Sequence, residues 1–294
     1  MFKSGFVSVV GRANVGKSTL MEKILKEKVS IISSKAQTTR DKIQIIYNDD
    51  NSQIIFLDTP GIQEPRNKLQ DYLLEVSKES LEERDLVVFV VDNSLEIGRL
   101  DHYILDLLSK VNRKKILLIN KIDLITDDEY KLIEDKYRSM GIFEDIVGIS
   151  ALRDTNIDRF IEVIKDNLDE GPMYYPNDMI TDKSERFIVS EIIREKALKR
   201  LGAEIPHGIF VRIDQFKKRK DKNLYDIYAT IITEKESHKQ IVIGKKGSKI
   251  LQIGQDARED IERFMNAKVF LKLWVKVEKD WRKNKNMVEK FGYK

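Results

Sequence analysis

A short glycine-containing segment near the N-terminus restricts the fold more than any other part of the sequence. Residues 11–18 read GRANVGKS and fit the phosphate-binding pattern G-x-x-x-x-G-K-[ST], between a predicted strand (residues 6–10) and a predicted helix (residues 17–28). In this setting the glycines turn backbone N–H groups towards phosphates, and the helix N-terminus adds partial positive charge. Lys17 would reach the β- and γ-phosphates, and the Ser18 hydroxyl would bind Mg²⁺. The predicted phosphate-binding residues are Gly11, Arg12, Ala13, Asn14, Val15, Gly16, Lys17, Ser18 and Thr19.

Short aliphatic runs alternate with longer amphipathic segments over the first 170 residues. This alternation predicts an α/β fold, a P-loop domain whose six-stranded sheet is mostly parallel and carries helices on both faces. Residues 42–47 and 53–57 flank the polar stretch NDDN and predict one antiparallel hairpin. Buried strands are predicted at residues 6–10, 54–57, 86–91, 116–119 and 146–149, and helices at residues 17–28, 67–83, 99–110, 127–140 and 156–168.

A second motif, NKID at residues 120–123, follows the predicted strand at residues 116–119, at the sheet edge where ligands bind in this fold class. A carboxylate offers only acceptors, so its aspartate complements the N1 and N2 donors of guanine, a pair that adenine lacks. Its asparagine would bridge loops and touch the purine, its lysine would lie along the ring, and the Ser-Ala pair at residues 150–151 would supply an N–H to guanine O6. The motif alone also fits a polar turn, but downstream of a P-loop it predicts binding of GTP and GDP. The predicted guanine-binding residues are Asn120, Lys121, Asp123, Ser150 and Ala151.

The sequence DTPG at residues 58–61 supplies the third element of the site. Its aspartate would hold Mg²⁺ through water and its glycine N–H would contact the γ-phosphate, although an Asp-initiated turn is the other interpretation. A threonine must complete the Mg²⁺ shell; Thr39 is our choice and Thr38 the alternative, because spacing does not separate them. The nucleotide contacts predicted here are Asp58, Thr59, Pro60, Gly61 and Ile62; the predicted catalytic residues are Lys17, Thr39 and Gly61; the predicted Mg²⁺ ligands are Ser18, Thr39 and, through water, Asp58.

The C-terminal part of the chain differs in charge from the rest. Residues 171–180 contain two prolines and predict a linker between a GTPase domain (residues 1–170) and a second domain (residues 181–294) with a basic tail. Residues 178–294 hold 28 Lys+Arg against 18 Asp+Glu, a net charge of +10, whereas residues 1–177 hold 25 against 31, a net charge of −6. A split of this size indicates a basic module for a polyanion, or a chance imbalance of surface charge.

The second domain contains the sequence GKKG at residues 244–247, between two predicted helices. Its elements follow the order helix, strand, strand, helix, G-x-x-G, helix, strand, which is the arrangement of an α+β type II KH domain. In such a loop the glycines permit close backbone approach, and KH domains clamp about four single-stranded nucleotides there. A lone GKKG is usually a basic turn, but with this order and charge it predicts RNA binding. The predicted RNA-binding residues are Gly244, Lys245, Lys246, Gly247 and Lys249.

The four nucleotide motifs, in this order, resemble those of translation-factor-related GTPases. The run KAQTTR at residues 35–40 and the C-terminal half narrow the resemblance, which covers nearly the whole chain, to the Era family. One departure is Ala13, where family members usually carry proline. The resemblance implies that the chain binds the single-stranded 3′ end of small-subunit rRNA and acts in 30S subunit assembly. An RNA-binding protein for another RNA class, with GTP as a structural ligand only, is the alternative; the guanine motif argues against a small-molecule kinase.

Two positions in this resemblance bear on the rate of hydrolysis. Ile62 stands where Ras-like switches carry the glutamine that orients the attacking water, and an isoleucine cannot hydrogen-bond that water. Hydrolysis is therefore expected to be slow for the protein alone. Asn14 stands where potassium-activated relatives place an asparagine that helps to bind K⁺; its other interpretation is a turn residue that bonds its own loop.

Composition sets the expected location. Zero cysteines exclude disulfides and zinc–thiolate sites, and the three histidines lie far apart. The N-terminus lacks a signal-peptide pattern and the longest strongly apolar run, residues 86–91, is far too short to span a membrane. We expect a cytoplasmic monomer. The basic segment WRKNK at residues 281–285 is expected to meet RNA or to make weak peripheral contact with the inner face of the cell membrane, and Trp274 is expected to be a packing residue.

Overall fold

The computed structural model describes residues 1–25, 43–58, 62, 67–82, 84–201 and 209–292. The chain divides into two compact units, and the main boundary between them lies between Asp182 and Lys183. The first unit is α/β and the second is α+β, which confirms the predicted fold class.

In the described part of the chain, the first unit contains one six-stranded sheet and five α-helices. Its strands are β1 (Lys3–Val10), β2 (Ile43–Asp49), β3 (Ser52–Asp58), β4 (Leu86–Val91), β5 (Lys114–Asn120) and β6 (Asp145–Ile149). Its helices are α1 (Lys17–Ile24), α2 (Lys68–Glu82), α3 (Arg99–Ser109), α4 (Asp127–Arg138) and α5 (Ile157–Asn167). The strand order is β2-β3-β1-β4-β5-β6, and only the β2–β3 pair is antiparallel, as the hairpin predicted.

The central strand β4 explains why this sheet is covered on both faces. Its sequence LVVFVV is buried throughout, which is typical of a parallel strand between two layers of helices. Because β1, β3, β5 and β6 run parallel, their carboxyl ends share one edge of the sheet. The segments that follow these four strands are the P-loop, the DTPG sequence, the NKID motif and the Ser-Ala pair, so the topology gathers all four motifs at one edge.

The second unit contains a three-stranded sheet backed by helices. Its elements are α6 (Glu185–Leu201), β7 (Phe210–Lys218), β8 (Leu224–Thr233), α7 (Glu236–Ile243), α8 (Ser248–Met265), β9 (Lys268–Val277) and α9 (Lys285–Lys290). The order is β7-β8-β9, with β7–β8 antiparallel and β8–β9 parallel. Helices α6 and α8 pack against each other and against the strands, so one face of the sheet is core.

The segment expected to be a basic tail is folded instead. Trp281 is fully buried, and its ring lies 6.2 Å from Phe210 and 5.1 Å from Phe291, between ring centroids. Arg282 forms an ion pair and hydrogen bond with the buried Glu234. The sequence shows the charges of this segment, but its aromatic and acidic partners lie far away in the chain, so their contact could not be predicted.

The residues predicted as a linker lie along the edge of the first sheet. Ile46 N–H donates to Ile180 O at 3.0 Å, so the segment covers part of edge strand β2. The buried side chain of Gln53 holds it most firmly. Its Oε1 accepts from Tyr174 N–H at 2.7 Å and Tyr175 N–H at 2.9 Å, and its Nε2 donates to Tyr175 O at 2.8 Å. The chain therefore stays on the first unit's sheet well beyond Gly171.

Substituting Gln53→Ala should loosen this edge segment, because it removes the buried partners of the Tyr174 and Tyr175 amides. An unsatisfied buried donor costs roughly 1–3 kcal/mol, which corresponds to about 5- to 150-fold faster amide hydrogen exchange at these two positions. Hydrogen exchange measured by mass spectrometry on the full chain checks this. Gln44→Ala, which removes only the 2.5 Å hydrogen bond from the Tyr175 hydroxyl, is the matched control with a smaller expected effect. Equal exchange in Gln53→Ala and the unmodified chain would contradict the account.

Candidate functional site

The P-loop backbone has the close approaches that its glycines permit. Gly16 has φ 98°, and a Cβ atom there would lie only 2.2 Å from the side-chain nitrogen of Asn120. Asn14 is exposed at φ 69°, a left-handed conformation that asparagine tolerates. Helix α1 begins directly after Gly16 without a side-chain cap among the described residues. Its first N–H groups therefore face the loop, where an anion would be favoured.

Lys17 lies inside this loop. Its Nζ donates to the carbonyl oxygens of Gly11 at 2.9 Å and Arg12 at 3.0 Å. Burial lowers the pKa of Lys17 to about 8, although the nearby Asp58 carboxylate raises it in part. A phosphate beside this amine would stabilise its charged form, so the arrangement suits a polyphosphate ligand.

Asn120, at the end of β5, joins the P-loop to the loop after β6. Its Nδ2 donates to Val15 O at 2.8 Å, and its Oδ1 accepts from the N–H groups of Lys121 at 2.8 Å and Ala151 at 3.0 Å. The residue is nearly completely buried. The Ser-Ala pair at residues 150–151 is predicted to supply a backbone N–H to guanine O6, and the Ala151 N–H is one of its two candidates. In the structure the Ala151 N–H donates to Asn120 Oδ1, so a guanine oxygen that also accepted from it would share this donor with Asn120.

Asp123 lies in a short 3₁₀ turn, Ile122–Leu124, just beyond Asn120. Arg153 Nε approaches its Oδ2 at 4.0 Å, a contact that sequence analysis missed because no motif marks Arg153. The loop that carries Arg153 is closed by paired hydrogen bonds between Ser150 and Thr155, at 3.2 Å and 3.0 Å. This loop therefore presents a cation and buried amides at the carboxyl edge of the sheet.

Asp58 is the first residue of the DTPG sequence, and Ile62 directly follows that sequence. The structure describes these two residues but not residues 59–61 between them. Asp58 is buried at the end of β3. Ile62 is buried in the same hydrophobic cluster as Val10 and Phe89, and its N–H donates to Gly11 O at 3.1 Å. The Ile62 side chain therefore belongs to the core, and only its backbone contacts the P-loop. Five predicted site residues lie outside the described part of the chain: Thr38, Thr39, Thr59, Pro60 and Gly61.

The Arg12 side chain joins an ionic network that sequence analysis did not predict. Its Nη2 lies 2.6 Å from Asp92 Oδ1 and its Nε lies 2.9 Å from Asp101 Oδ2, while Lys121 Nζ lies 3.7 Å from Asp92 Oδ2. Burial raises the pKa of Asp101 despite Arg12. Burial also opposes ionisation of Asp92, but hydrogen bonds from Ser94 and the Arg12 charge outweigh it and lower the Asp92 pKa. The Arg12 side chain is therefore held by two carboxylates of its own domain.

The G-x-x-G loop lies between α7 and α8 as predicted. Gly244 has φ 72°, and a Cβ atom there would lie 2.6 Å from Cβ of Lys249, so glycine is required. Lys245 and Lys246 are exposed, and Lys246 has φ 51°. The loop thus presents two lysines to solvent immediately before the N-terminus of α8.

A groove of about 450 Å³ adjoins this loop between α8 and β9. Its floor is apolar, with Ile250, Leu271 and Leu273, and Arg258 adds a positive charge. Leu251 lines it with 72% of its surface exposed. An apolar groove beside a basic loop suits unstacked bases with their phosphates on the loop. Sequence analysis missed these residues because they form a groove only when α8 packs against β9.

Two relatives match this chain from end to end. GTPase Era of Alkaliphilus oremlandii is 50% identical over 292 residues, 99% of each chain. GTPase Era of Clostridioides difficile is 49% identical over 294 residues, 100% of this chain and 99% of the relative. The chain belongs to the Era family of GTPases. Two family models match parts of this Era-family chain. The model described as 50S ribosome-binding GTPase matches residues 6–121, and the KH-domain model matches residues 204–282.

Solved Era structures have the same fold as this chain. A crystal structure of Era in complex with MgGDPNP and nucleotides 1506–1542 of 16S ribosomal RNA superposes with a TM-score of 0.95 at 41% identity, covering 100% of this chain and 99% of that one. A variant of Aquifex aeolicus Era bound to GDP·AlF4⁻ superposes with a TM-score of 0.94 at 40% identity, covering 99% of each. The predictions of an Era-like GTPase and of a KH domain are confirmed.

Two structural findings complete the description of this Era-family chain. Among the described residues, no group of three or more His, Asp or Glu side chains is arranged to hold a metal ion. None of the helices in the described ranges is long and apolar enough to cross a membrane.

The lowered pKa of Lys17 predicts that nucleotide binding takes up protons. With a pKa of about 8, roughly half of the free protein carries a neutral Lys17 at pH 8, whereas a bound phosphate would keep it charged. Binding of MgGDP should take up about half a proton at pH 8 and almost none at pH 6.5, and affinity should fall as the pH rises above 8. Titration calorimetry in two buffers with different ionisation enthalpies measures the uptake. Lys17→Arg, which stays protonated, is the control; equal uptake at both pH values in the unmodified chain would contradict the lowered pKa.

Proposed function

We propose that this Era-family GTPase binds MgGTP at the edge of its first sheet and single-stranded RNA at its KH domain, and that it acts in assembly of the 30S ribosomal subunit. The RNA proposed is the 3′ end of small-subunit rRNA. One observation carries the proposal: an Era structure that this chain matches over its full length holds MgGDPNP and nucleotides 1506–1542 of 16S ribosomal RNA. The P-loop and the groove beside the G-x-x-G loop give this chain a site for each ligand.

The phosphate site is proposed to consist of residues 11–19, with Lys17 at the β- and γ-phosphates. The donor set suits Mg²⁺, because the Ser18 hydroxyl and the buried Asp58 carboxylate are the oxygen ligands that this cation prefers. Thr39 or Thr38 would complete the shell, and Asp58 would act through water. When bound, the ion neutralises developing charge on the phosphates. Thr59, Pro60 and Gly61 stay in the proposed nucleotide site on the strength of the motif.

Hydrolysis is proposed to be slow without an activating partner. The buried Ile62 side chain supports this, because it lies in the core and offers nothing to orient an attacking water. The described residues would contribute to catalysis by positioning the nucleotide, because Asn120 hydrogen-bonds to both the P-loop and the loop after β6.

Cellular placement is part of the same proposal. We propose a cytoplasmic monomer, with membrane contact at most peripheral through Lys283 and Lys285, whose side chains are well exposed. Burial of Trp281 removes the aromatic anchor that would favour insertion.

Sequencing RNA crosslinked to the protein in cells tests the assembly role. Reads concentrated near the 3′ end of small-subunit rRNA are expected; reads spread over mRNA would favour another RNA class and overturn the assignment.

Asp123→Asn should change the base preference. The substitution replaces an acceptor-only group with an amide, so GTP should bind about 30- to 150-fold more weakly, a loss of roughly 2–3 kcal/mol. Xanthosine triphosphate should bind better than in the unmodified chain, because its edge offers an acceptor. Competition against a fluorescent nucleotide measures both. Asp128→Asn, an exposed residue on α4, is the control, and equal displacement by ATP and GTP in the unmodified chain would end the guanine assignment.

Reversing the two loop lysines should weaken RNA binding selectively. Lys245→Asp with Lys246→Asp keeps both glycines and places negative charge beside the RNA backbone. Affinity for a 3′-terminal rRNA oligonucleotide should fall at least tenfold, and the slope of log K against log salt should decrease by about 0.7 for each lost phosphate contact. GTP binding should not change. Arg113→Asp with Lys131→Asp makes the same charge change on exposed positions of the GTPase domain and should leave RNA affinity intact.

Potassium should accelerate GTP turnover over sodium at equal ionic strength if Asn14 helps to bind K⁺. The best test is Asn14→Gly, because glycine accepts the positive φ of this position and removes only the side chain. GDP affinity should be retained and the potassium effect lost. Equal turnover of the unmodified chain in both salts would leave Asn14 with its turn role alone.

A further inference from the structure

The outward face of the second sheet exposes large aromatic side chains. Along β9, Leu271 and Leu273 point towards the helices, whereas Phe270 and Trp274 point the other way. Phe270 is 47% exposed and Trp274 is 41% exposed. Sequence analysis expected Trp274 to be a packing residue, and this degree of exposure leaves much of its ring available to a ligand.

These rings form one continuous surface across two strands. Tyr228 of β8 lies opposite Lys272 of β9 in the sheet register. Its ring centroid is 6.4 Å from that of Phe270 and 5.6 Å from that of Trp274, and both contacts are edge-on. Tyr228 therefore packs against both exposed rings and helps to fix their positions, as a surface that stacks with bases requires.

Positive charges surround the same aromatic surface. Lys272 Nζ lies 5.0 Å from the Trp274 ring centroid, and Arg219 lies 5.8 Å from that of Phe270. The hairpin at residues 217–222 adds five basic residues against one acidic one. Ion pairs of Arg219 with Asp226, and of Lys276 with Glu278, offset part of this charge, but the face remains net positive. Exposed rings together with cations are the features that bind single-stranded nucleic acid.

The position of this face relative to the groove decides which ligand it would receive. Strand β9 is at the edge of the sheet. Leu271 and Leu273 line the groove, Phe270 and Trp274 lie on the outward face, and Lys272 between them also borders the groove. A chain that leaves the groove can therefore reach the aromatic surface around one strand edge, without crossing any other described element of this unit. The groove itself would hold only about four nucleotides.

We infer that the outward face formed by Tyr228, Phe270, Lys272 and Trp274 is a second binding surface for single-stranded RNA, continuous with the groove. Bases would stack on Trp274 and Phe270, and phosphates would lie against Lys272 and the basic hairpin. Purely apolar exposure would have favoured a protein partner, but on this face a cation lies over each of the two exposed rings, Phe270 and Trp274. The inference rests on the proposed RNA-binding function and adds a surface to it.

Two RNA probes separate the surfaces. The first probe is a tetranucleotide, which is long enough to fill the groove only. The second is a 12-nucleotide RNA from the 3′ end of small-subunit rRNA, which is long enough to reach both the groove and the outward face. In the full chain, Trp274→Ala should weaken the 12-nucleotide probe about tenfold, because base–aromatic stacking contributes roughly 1–3 kcal/mol per base. The tetranucleotide should bind as before. Trp274→Phe, which retains a flat ring, should restore most of the affinity, and Leu132→Ala on α4 is an exposed apolar control.

Intrinsic fluorescence gives a direct readout of stacking. The chain has two tryptophans, of which Trp281 is fully buried and Trp274 is exposed. The 12-nucleotide probe should therefore quench the emission of the unmodified chain, the tetranucleotide should not, and Trp274→Phe should lose the quenching while it still binds.

Several outcomes would overturn the inference. Unchanged affinity of the 12-nucleotide probe in Trp274→Ala and in Phe270→Ala would show that RNA does not use this face. An equal loss for both probes would show that Trp274 acts through the groove and not through a second surface, which would also overturn the inference. Normal affinity for the 12-nucleotide probe together with lost binding to 30S particles would assign the face to a different contact on the particle. Failure of the tetranucleotide to bind the unmodified chain would instead contradict the proposed groove function, so the two failures can be distinguished.

Discussion

The buried amide of Asn120 is the interaction on which the nucleotide site depends. It is the one side chain described that bonds to both the P-loop and the loop after β6, and Gly16 must lack a Cβ to make room for it. Since Asn120 also accepts from the amide of Lys121, a single amide group joins the P-loop, the NKID turn and the Ser-Ala loop. An unpaired amide buried at this depth would be costly, so these loops are held together whether or not they bind a nucleotide.

The charges of the site are arranged around this framework. Lys17 is held by backbone carbonyls in a buried position where its ammonium is destabilised, so a phosphate gains more from it than from a solvated lysine. The Arg12 side chain forms ion pairs with Asp92 and Asp101. Asp92 also lies near Lys121, so side chains connect the P-loop to the NKID turn in addition to Asn120.

The KH domain obtains two different surfaces from one strand. Because side chains alternate along β9, its apolar residues line the groove while Phe270 and Trp274 lie on the outward face. The edge position of β9 leaves both surfaces open. Cations border both surfaces: Arg258 lines the groove, and Lys272 and Arg219 lie over the rings of the outward face.

The sequence by itself determined the order of strands and helices, the P-loop, the guanine motif and the G-x-x-G loop. These depend on local chemistry: glycines for backbone approach, a carboxylate for its acceptors, and strand direction for the edge where the motifs meet. Only the tertiary structure decided that Arg12 faces two carboxylates, that Ile62 is core, that Trp281 is buried and that Gln53 holds the edge segment. Each of these outcomes depends on a partner far away in the chain. Such partners meet only after the elements have packed, so no local pattern reveals them.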